Sequence, residues 1–275
     1  MLQTGLYVVA TPIGNLEDIT FRAVRILTEA TLVAAEDTRH SRVLLSHYNI
    51  TTPMQALHEF NEAQAVSHIL GRLKNGEAVA LISDAGTPLI SDPGYRLITA
   101  AREADLPVHA IPGPSAVTAA LSVAGIATDR FAFEGFLPSK AVARKKKLGS
   151  LCRESRTQVF FESSHRIEAT VNDLSKTFGA DRLAAVCREL TKKFETVLRA
   201  PLGDITATLA ADKNQTRGEF VIVVDGYEGG LDEAMGNAQQ MATALAEFLP
   251  VSQAARVAAK LNNVSRRELY RLLEA

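Results

Sequence analysis

The segment AVALISDAGTPLISDPG, residues 78–94, decides the fold. Its first part, Ala78 to Ile82, is a short apolar run that is typical of a fully buried strand. The part that follows, Ser83 to Gly94, is rich in Gly, Pro, Ser and Asp, and it is longer than the usual connector of about two to six residues. A buried strand followed by a long polar loop is typical of the edge at which an open α/β sheet binds its ligand.

Similar strands lie on both sides of this segment, and helical patterns separate them. We predict strands at Leu6 to Ala10, Leu32 to Ala35 and Val108 to Ile111, and helices at about 20–30, 38–47, 61–74 and 93–104. This alternation predicts a mainly parallel sheet that is covered on both faces. The breaker Pro112-Gly113-Pro114 ends the pattern, so a first α/β domain is expected over residues 1–112.

A second α/β domain is expected over residues 113–226. Strands are predicted at Phe131 to Gly135, Thr157 to Glu162, Leu183 to Glu189, Glu195 to Ala200 and Glu219 to Asp225, with helices near 165–178 and 203–211. The strand Leu183 to Glu189 is followed closely by the strand Glu195 to Ala200, which indicates that these two strands form an antiparallel pair. The second sheet is therefore predicted to be mixed.

The remaining residues are predicted to be a linker and a helical tail. Residues 227–236 are acidic and Gly-rich, as linkers often are. The tail, residues 237–275, shows a helix, a tight turn at Leu261-Asn262-Asn263 and a second helix, and so resembles a helix-turn-helix nucleic-acid module. Arg266 and Arg267 would then lie at the exposed start of the second helix. A small packing or dimerisation bundle is the alternative.

Composition narrows the class of protein. The 275 residues are 47% hydrophobic and 22% charged, with 30 basic and 31 acidic side chains, which excludes a collagen, a mostly disordered chain and a basic polyelectrolyte. Any nucleic-acid surface must therefore be local. The two cysteines, Cys152 and Cys187, lack metal-ligand spacing, so no metal site is expected. No run reaches the ~18 apolar residues of a membrane span and no signal sequence is evident, so a cytoplasmic protein is expected.

Two further loops lie at the same predicted sheet edge. Thr11 to Asn15 contains a single glycine, so it cannot form the glycine fingerprint of a nicotinamide dinucleotide site. The loop Glu36-Asp37-Thr38-Arg39 carries two acids and an arginine at a helix start, where a capped helix on a solvated edge is the alternative to a chemical role.

Several of these motifs, taken in order along the chain, resemble one family. Its members are the tetrapyrrole-type (class III) S-adenosylmethionine methyltransferases, and the resemblance covers residues 5–226. It is carried by Pro12, the Asp84 to Gly94 loop, Pro112-Gly113-Pro114-Ser115-Ala116, Phe160-Phe161-Glu162, Arg188-Glu189-Leu190-Thr191 and Gly218-Glu219. The resemblance implies a cofactor, S-adenosylmethionine, in a cleft between the two α/β domains. The implied cofactor residues are Pro12, Asp84, Ala85, Gly86, Thr87, Ile90, Ser115, Ala116, Phe161, Leu190 and Gly218.

The motifs also look like one branch of that family. Asp84-Ala85-Gly86-Thr87-Pro88 stands where porphyrinogen-methylating members carry a Gly-Asp-Pro type of loop. The resemblance to this branch implies 2′-O-methylation of a decoding-centre cytidine in 16S ribosomal RNA, within the small ribosomal subunit, by a homodimer.

Such a reaction needs a group that removes the proton of a ribose hydroxyl. The candidates are Glu36, Asp37, Asp84 and Asp92, with Lys192 as a further candidate for the catalytic group, and the residues leave the choice open. Arg39 or Lys192 is expected to hold a phosphate. A wider track of phosphate-binding residues is predicted from Arg144, Lys145, Lys146, Lys147, Arg166, Arg188, Lys192 and Lys193. For residues 144–147, a solvated helix face without a binding role is the alternative.

Three other functions fit parts of the sequence. A tetrapyrrole methyltransferase would share the cofactor residues and would not need the tail. A transcriptional regulator would use the α/β body to sense a metabolite and the tail to bind DNA. A nicotinamide dehydrogenase is the least favoured, because the glycine fingerprint is missing.

Overall fold

The computed structural model describes residues 2–58, 61–229 and 231–274. The chain forms two compact units: residues 1–149 with 157–225, and residues 150–156 with 226–275. Both sheets lie in the first unit. The domain boundaries near residues 112 and 226 stay a prediction.

The first sheet is wholly parallel, as the alternation of strands and helices predicts. Its strand order is β3-β2-β4-β1-β5 and every neighbouring pair is parallel. The strands are β1 (Gly5–Val9), β2 (Leu32–Ala35), β3 (Met54–Ala56), β4 (Ala78–Ile82) and β5 (Val108–Ile111). The helices that accompany them are α1 (Phe21–Glu29), α2 (Thr38–His47), α3 (Glu62–Lys74), α4 (Tyr95–Glu103) and α5 (Ala116–Val123).

Strand β4 explains why this sheet has two cores. All of its residues are buried, and successive side chains point to opposite faces. Val79 and Leu81 pack in a cluster with residues of α3 and α4, whereas Ala80 and Ile82 pack in a cluster with residues of α1 and α2. Helices on both faces leave the carboxyl ends of the strands as the open edge, which is where the polar loops lie.

The second sheet is mixed, in agreement with the prediction. Its order is β6-β7-β10-β8-β9; β6 and β7 are parallel and the other pairs are antiparallel. The strands are β6 (Phe131–Phe136), β7 (Thr157–Ser163), β8 (Leu183–Arg188), β9 (Thr196–Pro201) and β10 (Glu219–Val224). The helices of this half are α6 (Ala141–Leu151), α7 (Ile167–Phe178) and α8 (Leu202–Ala211).

The second unit holds three helices, α9 (Leu231–Leu245), α10 (Val251–Asn262) and α11 (Arg266–Glu274). Alanines of α9 and α10 pack with Leu269 of α11. Asn263 adopts the left-handed conformation of the predicted turn, at φ 53°, and the Ser265 hydroxyl accepts a hydrogen bond from the Glu268 N–H at 3.3 Å. The helix-turn-helix-like fold is confirmed. The prediction of a linker over 227–236 is wrong in its second half, because α9 begins at Leu231.

Within the described ranges, no helix is both long and apolar enough to cross a membrane. Among the same residues, no group of three or more His, Cys, Asp or Glu side chains is arranged so that it could hold a metal ion.

Candidate active site

A cavity of about 390 Å³ lies where the open edge of the first sheet faces the second sheet. Its volume falls within the ~300–1,000 Å³ range of small-molecule sites. Loops that follow β1, β2, β4 and β5 form one wall, and residues in or just after β6, β7, β8 and β10 form the other. Of the predicted cofactor residues, those that line this cavity are Asp84, Ala85, Gly86, Thr87, Ile90, Ser115, Ala116, Phe161 and Leu190.

The loop after β4 is held in shape by backbone hydrogen bonds to its neighbours. Thr11 and Gly86 exchange two of them, at 2.9 and 3.0 Å, and the Thr87 hydroxyl donates to the Pro114 carbonyl at 3.1 Å. Leu89 and Ser91 adopt left-handed conformations, with φ 74° and 73°, which side chains rarely adopt. Strained backbone of this kind persists where the surrounding structure fixes it, and it clusters at binding sites.

Aromatic side chains form the apolar side of the cavity. Phe161 makes edge contacts with Phe133 and Phe136, at ring-centroid distances of 4.8 and 5.6 Å. Leu190, two residues after the end of β8, lines the same cavity. This wall suits a flat heterocycle such as adenine.

Five acidic residues line the cavity: Glu36, Asp84 and Asp92 follow strands of the first sheet, and Glu162 and Glu219 belong to the second. The Asp37 N–H donates to Asp84 Oδ1 at 3.1 Å, and the Asp84 N–H donates to Glu36 Oε2 at 3.4 Å. Burial raises the pKa of Asp92 to about 6, and the negative charges of Glu36 and Asp84 act in the same direction. A pocket with a cluster of acids and an aromatic wall fits S-adenosylmethionine, which carries a positively charged sulfur, an ammonium group and an adenine.

Asp37 has a different role from Glu36, Asp84 and Asp92. Its side chain caps α2 by accepting from the Arg39 N–H at 2.8 Å and pairs with the Arg39 guanidinium at 2.8 Å. These bonds to Arg39 hold the pKa of Asp37 well below its usual range. Asp37 is therefore a poor proton acceptor, and it does not line the cavity.

A second cavity, of about 290 Å³, adjoins the first. Ile13, Asp84, Ala85 and Glu219 line both. The predicted cofactor residue Pro12 lines this second cavity and not the first, together with His40, Ser41 and Lys192. Asp84 thus stands in the wall that separates two neighbouring binding spaces.

Lys192 lies at the edge of the second cavity between two acids. Its Nζ is 3.0 Å from Glu189 Oε1 and 2.7 Å from Glu219 Oε2. Partial burial disfavours the charge, but these hydrogen bonds outweigh it and the pKa of Lys192 is raised. The ammonium therefore stays protonated, which suits the binding of an anion and not the removal of a proton.

Gly218 does not line either cavity. It has φ 103°, and a β-carbon built on it would stand 2.5 Å from Glu189 Cγ. Gly218 therefore leaves room for the side chain of Glu189. The Glu189 carboxylate accepts a hydrogen bond from the Glu219 N–H at 2.9 Å and also positions Lys192.

The structure divides the predicted phosphate track. Arg144 faces inward: its side chain is 7% exposed and pairs with Asp173 at 2.8 Å. Arg166 is tied to Glu162 at 3.2 Å and to the Leu137 carbonyl at 2.7 Å. The placement of Arg144 on an RNA surface is therefore wrong, because its guanidinium is buried against Asp173. Arg166 keeps 25% of its side chain exposed, so its RNA contact stays a prediction.

The other basic residues of the track are more accessible. Lys145, Lys146 and Lys147 are exposed, although Lys145 is 3.7 Å from Asp173 and Lys147 is 2.9 Å from Glu134. Arg188 donates to Thr196 and to the carbonyls of Asn214 and Arg217. Arg39 is exposed and pairs with Asp37. Lys193 lies over the ring of Phe194, and Arg266 and Arg267 are exposed at the start of α11.

Sequence reasoning missed several residues of the two cavities. Ile13, Ser163 and Glu219 line the first, and His40 and Ser41 line the second. Glu219 belongs to the motif Gly218-Glu219, so the sequence contained a motif from which its position at the site could have been predicted. Ser41 carried none, because it reads as an ordinary polar residue inside a helix.

The fold and this site define a class of protein. Residues 5–206 match the family model of the tetrapyrrole (corrin/porphyrin) methylases. A cobalt precorrin-4 methyltransferase has the same fold, with a TM-score of 0.60 and 18% identity, covering 80% of this chain and 94% of the other. A uroporphyrin-III C-methyltransferase of Thermus thermophilus, solved with S-adenosyl homocysteine, aligns with a TM-score of 0.58 and 17% identity over 80% of this chain and 97% of that one.

Curated relatives specify the class further. Ribosomal RNA small subunit methyltransferase I of Xylella fastidiosa is 49% identical over 96% of this chain and 97% of its own. The protein of that name from Escherichia coli O157:H7 is 43% identical over 98% and 94%. Residues 232–275 match the model of the RsmI C-terminal HTH domain. The chain belongs to the tetrapyrrole methylase family and, within it, to the ribosomal RNA small subunit methyltransferase I group.

Proposed function

We propose that this protein is an S-adenosylmethionine-dependent methyltransferase that methylates the ribose 2′-hydroxyl of a decoding-centre cytidine in 16S ribosomal RNA. The observation that carries the proposal is the pair of adjoining cavities with Asp84 in their common wall. A transfer reaction needs donor and acceptor side by side, and holding them so supplies up to ~7–11 kcal/mol of the barrier reduction. The names and the high identity of the relatives support ribosomal RNA as the acceptor.

The first cavity is proposed to hold the methyl donor. Phe161 and Leu190 bind the adenine, and the acids Glu36, Asp84 and Asp92 face the positive groups. S-adenosylmethionine supplies a methyl group on a positively charged sulfur. The backbone of Ala85, Gly86 and Thr87 holds the methionine part and excludes water from the wall near Asp84.

We assign the proton acceptor to Asp84. Lys192 stays protonated and the Asp37 pKa lies well below its usual range, whereas Glu36 and Asp92 line the first cavity alone. The Asp37 N–H fixes Asp84 Oδ1, so Asp84 Oδ2 is the atom proposed to take the hydroxyl proton. Lys192 holds a phosphate of the acceptor strand, and the exposed Arg39 is a second candidate for this role.

The proposed setting is the cytoplasm, on a small ribosomal subunit, with the protein as a homodimer. The helix-turn-helix module supports docking on a large RNA particle, since Arg266 and Arg267 lie exposed at the start of its last helix. Sedimentation of the purified chain measures the dimer directly.

The experiment is transfer of tritium from methyl-labelled S-adenosylmethionine. Unmethylated small subunits, free 16S RNA and a porphyrinogen are offered in parallel. We expect label in the RNA of the subunits, in one nucleotide whose 3′ linkage resists alkali because its 2′-hydroxyl is blocked. Label in the porphyrinogen alone would overturn the acceptor, and label in a base would overturn the 2′-O chemistry.

A further inference from the structure

We propose that the second cavity is the pocket for the acceptor nucleoside, extruded from the RNA, and that the Ser41 hydroxyl binds its base. The inference rests on the proposed function and names the subsite that the function requires. Enzymes that react with a base extrude the nucleotide from the stack into a pocket, and we infer the same arrangement here for a nucleotide that reacts at its ribose.

The size and walls of the cavity fit a pyrimidine nucleoside. Its volume is about 290 Å³, below the usual range for drug-sized ligands. Pro12, Leu16, Val43 and Leu44 give it apolar walls. Val43 is 65% exposed, which is a high exposure for a Val, and a base packed against it would cover this surface.

Ser41 is the observation that points to a ligand. It lies in α2, is 3% exposed, and its Oγ has no hydrogen-bond partner among the residues that the structure describes. A buried hydroxyl without a partner costs about 1–3 kcal/mol, so such groups are normally satisfied. Because Ser41 lines the second cavity, a bound base can supply the missing partner.

The polar walls favour a base that carries an amine. Besides Asp84, which is assigned to the ribose hydroxyl, Glu219 contributes a carboxylate to the cavity, and a carboxylate accepts from the N4 amine of cytosine but opposes the O4 carbonyl of uracil. The Ser41 hydroxyl can donate to a ring nitrogen or carbonyl. Cytosine presents both kinds of group, so the cavity has the chemistry to select it.

The position of the cavity places this nucleoside next to the methyl donor. The two cavities share Asp84 and Ala85, so a ligand in one adjoins a ligand in the other. Lys192, at the edge of the second cavity, is placed to hold the phosphate that enters with the nucleoside.

The test uses Ser41→Ala, which removes the hydroxyl, and Ser41→Val, which also fills the space. Ser46→Ala, an exposed serine of the same helix, is the control. KM and kcat are measured with unmethylated small subunits, and the Kd for S-adenosylhomocysteine is measured by calorimetry. We expect KM to rise about tenfold in Ser41→Ala, the equivalent of one hydrogen bond, and further in Ser41→Val. The Kd should stay unchanged in all three variants, since Ser41 does not line the first cavity.

Each result separates the two proposals. If the wild-type protein transfers no label to subunits, the proposed function fails. If it does, but both Ser41 variants keep the wild-type KM, the nucleoside pocket is wrong. Weaker S-adenosylhomocysteine binding in the Ser41 variants would also overturn it, because Ser41 would then act through the first cavity or the fold. As a second measurement, subunits with uridine at the methylated position should lose at least tenfold in kcat/KM, and equal rates would contradict selection of cytosine.

Discussion

The side chain of Lys192 lies directly over the α-carbon of Gly14. A β-carbon at position 14 would stand 2.5 Å from Lys192 Cγ and 2.6 Å from Cε, well inside the ~3.5–4.0 Å of an ordinary carbon contact. The Nζ end of the same side chain is held by Glu189 and Glu219. Gly14 belongs to the loop after β1, and Lys192 follows β8 of the second sheet, so this contact joins the two halves of the first unit beside the second cavity.

Gly14→Ala should therefore disturb Lys192 more than the fold. The new methyl group pushes the lysine stem away and separates Nζ from the two carboxylates. We expect KM for small subunits to rise about fivefold to tenfold and the thermal midpoint to fall by no more than a few degrees. Steady-state kinetics and thermal unfolding measure the two effects.

The control for this substitution is Gly149→Ala, since no atom lies within 4 Å of a β-carbon at that position. Lys192→Ala should match Gly14→Ala, and the double variant should be no worse than either single one. Additive losses would show that Gly14 acts on something other than Lys192.

Asp84→Asn should weaken S-adenosylmethionine more than S-adenosylhomocysteine. The substitution keeps the size of the side chain but removes a negative charge from the first cavity. Because only S-adenosylmethionine carries a charged sulfur, its Kd should rise about tenfold, the scale of a hydrogen bond to a charged group. Calorimetry with both ligands measures the difference.

Asp181→Asn is the matched control, because Asp181 is exposed on a turn outside both cavities. An equal loss for the two ligands in Asp84→Asn would mean that the carboxylate acts on the ammonium or the loop and not on the sulfur.

The raised pKa of Asp92 makes stability depend on pH. The carboxyl titrates at 3.8 in its ordinary environment and at about 6 in the folded protein, because burial disfavours its charge. The folded state binds the proton more tightly, so this group stabilises the fold below pH 3.8 and the contribution is lost as pH rises through 6. Asp92→Asn should therefore be more stable than wild type at pH 7–8, by about 1–3 kcal/mol, and the difference should shrink towards pH 4.

Urea unfolding of both proteins between pH 4 and pH 8 measures this difference in the free energy of unfolding. Asp181→Asn should show no such trend. A difference between Asp92→Asn and wild type that stays constant over this range would mean that the pKa of Asp92 is not raised in the folded protein.

The parallel core was predictable because its signals are local. The run Ala78 to Ile82 is apolar and buried throughout, and Val108 to Ile111, of which only Ile111 is buried, is bounded by Pro107 and Pro112; the structure gives both strands those bounds. Strand β3 escaped prediction because Met54–Ala56 is three half-buried residues with a polar one in the middle. Such a short strand forms because the edge of β2 is available for pairing, and its own sequence has no hydrophobic pattern that would predict it.

The site was predictable only where a motif carried it. The loop after β4 lines the first cavity as expected, but a run of four cations does not reveal which one turns inward. Arg144 is buried because Asp173, distant in sequence, lies opposite it. Ser41 depends in the same way on a loop from β1 and a lysine from the second sheet, which only the folded chain brings together.

The exposed lysines of α6 and the buried arginine beside them should separate RNA binding from stability. Arg144→Ala leaves Asp173 buried without its main partner, so the free energy of unfolding should fall by about 3–5 kcal/mol. The triple variant Lys145→Ala, Lys146→Ala and Lys147→Ala should unfold within about 1 kcal/mol of wild type, since exposed ion pairs contribute little.

The same triple variant should bind small subunits with a weaker dependence on salt, if these lysines contact phosphates. Each lost contact lowers the slope of log Kd against log salt by about 0.7–0.9. Arg266→Ala with Arg267→Ala should lower it by a similar amount per residue and leave the Kd for S-adenosylhomocysteine unchanged. Filter binding between 50 and 300 mM salt measures the slopes. An unchanged slope in the triple variant would make α6 a solvated face, and an unchanged slope in the double variant would make the helix-turn-helix module a packing element.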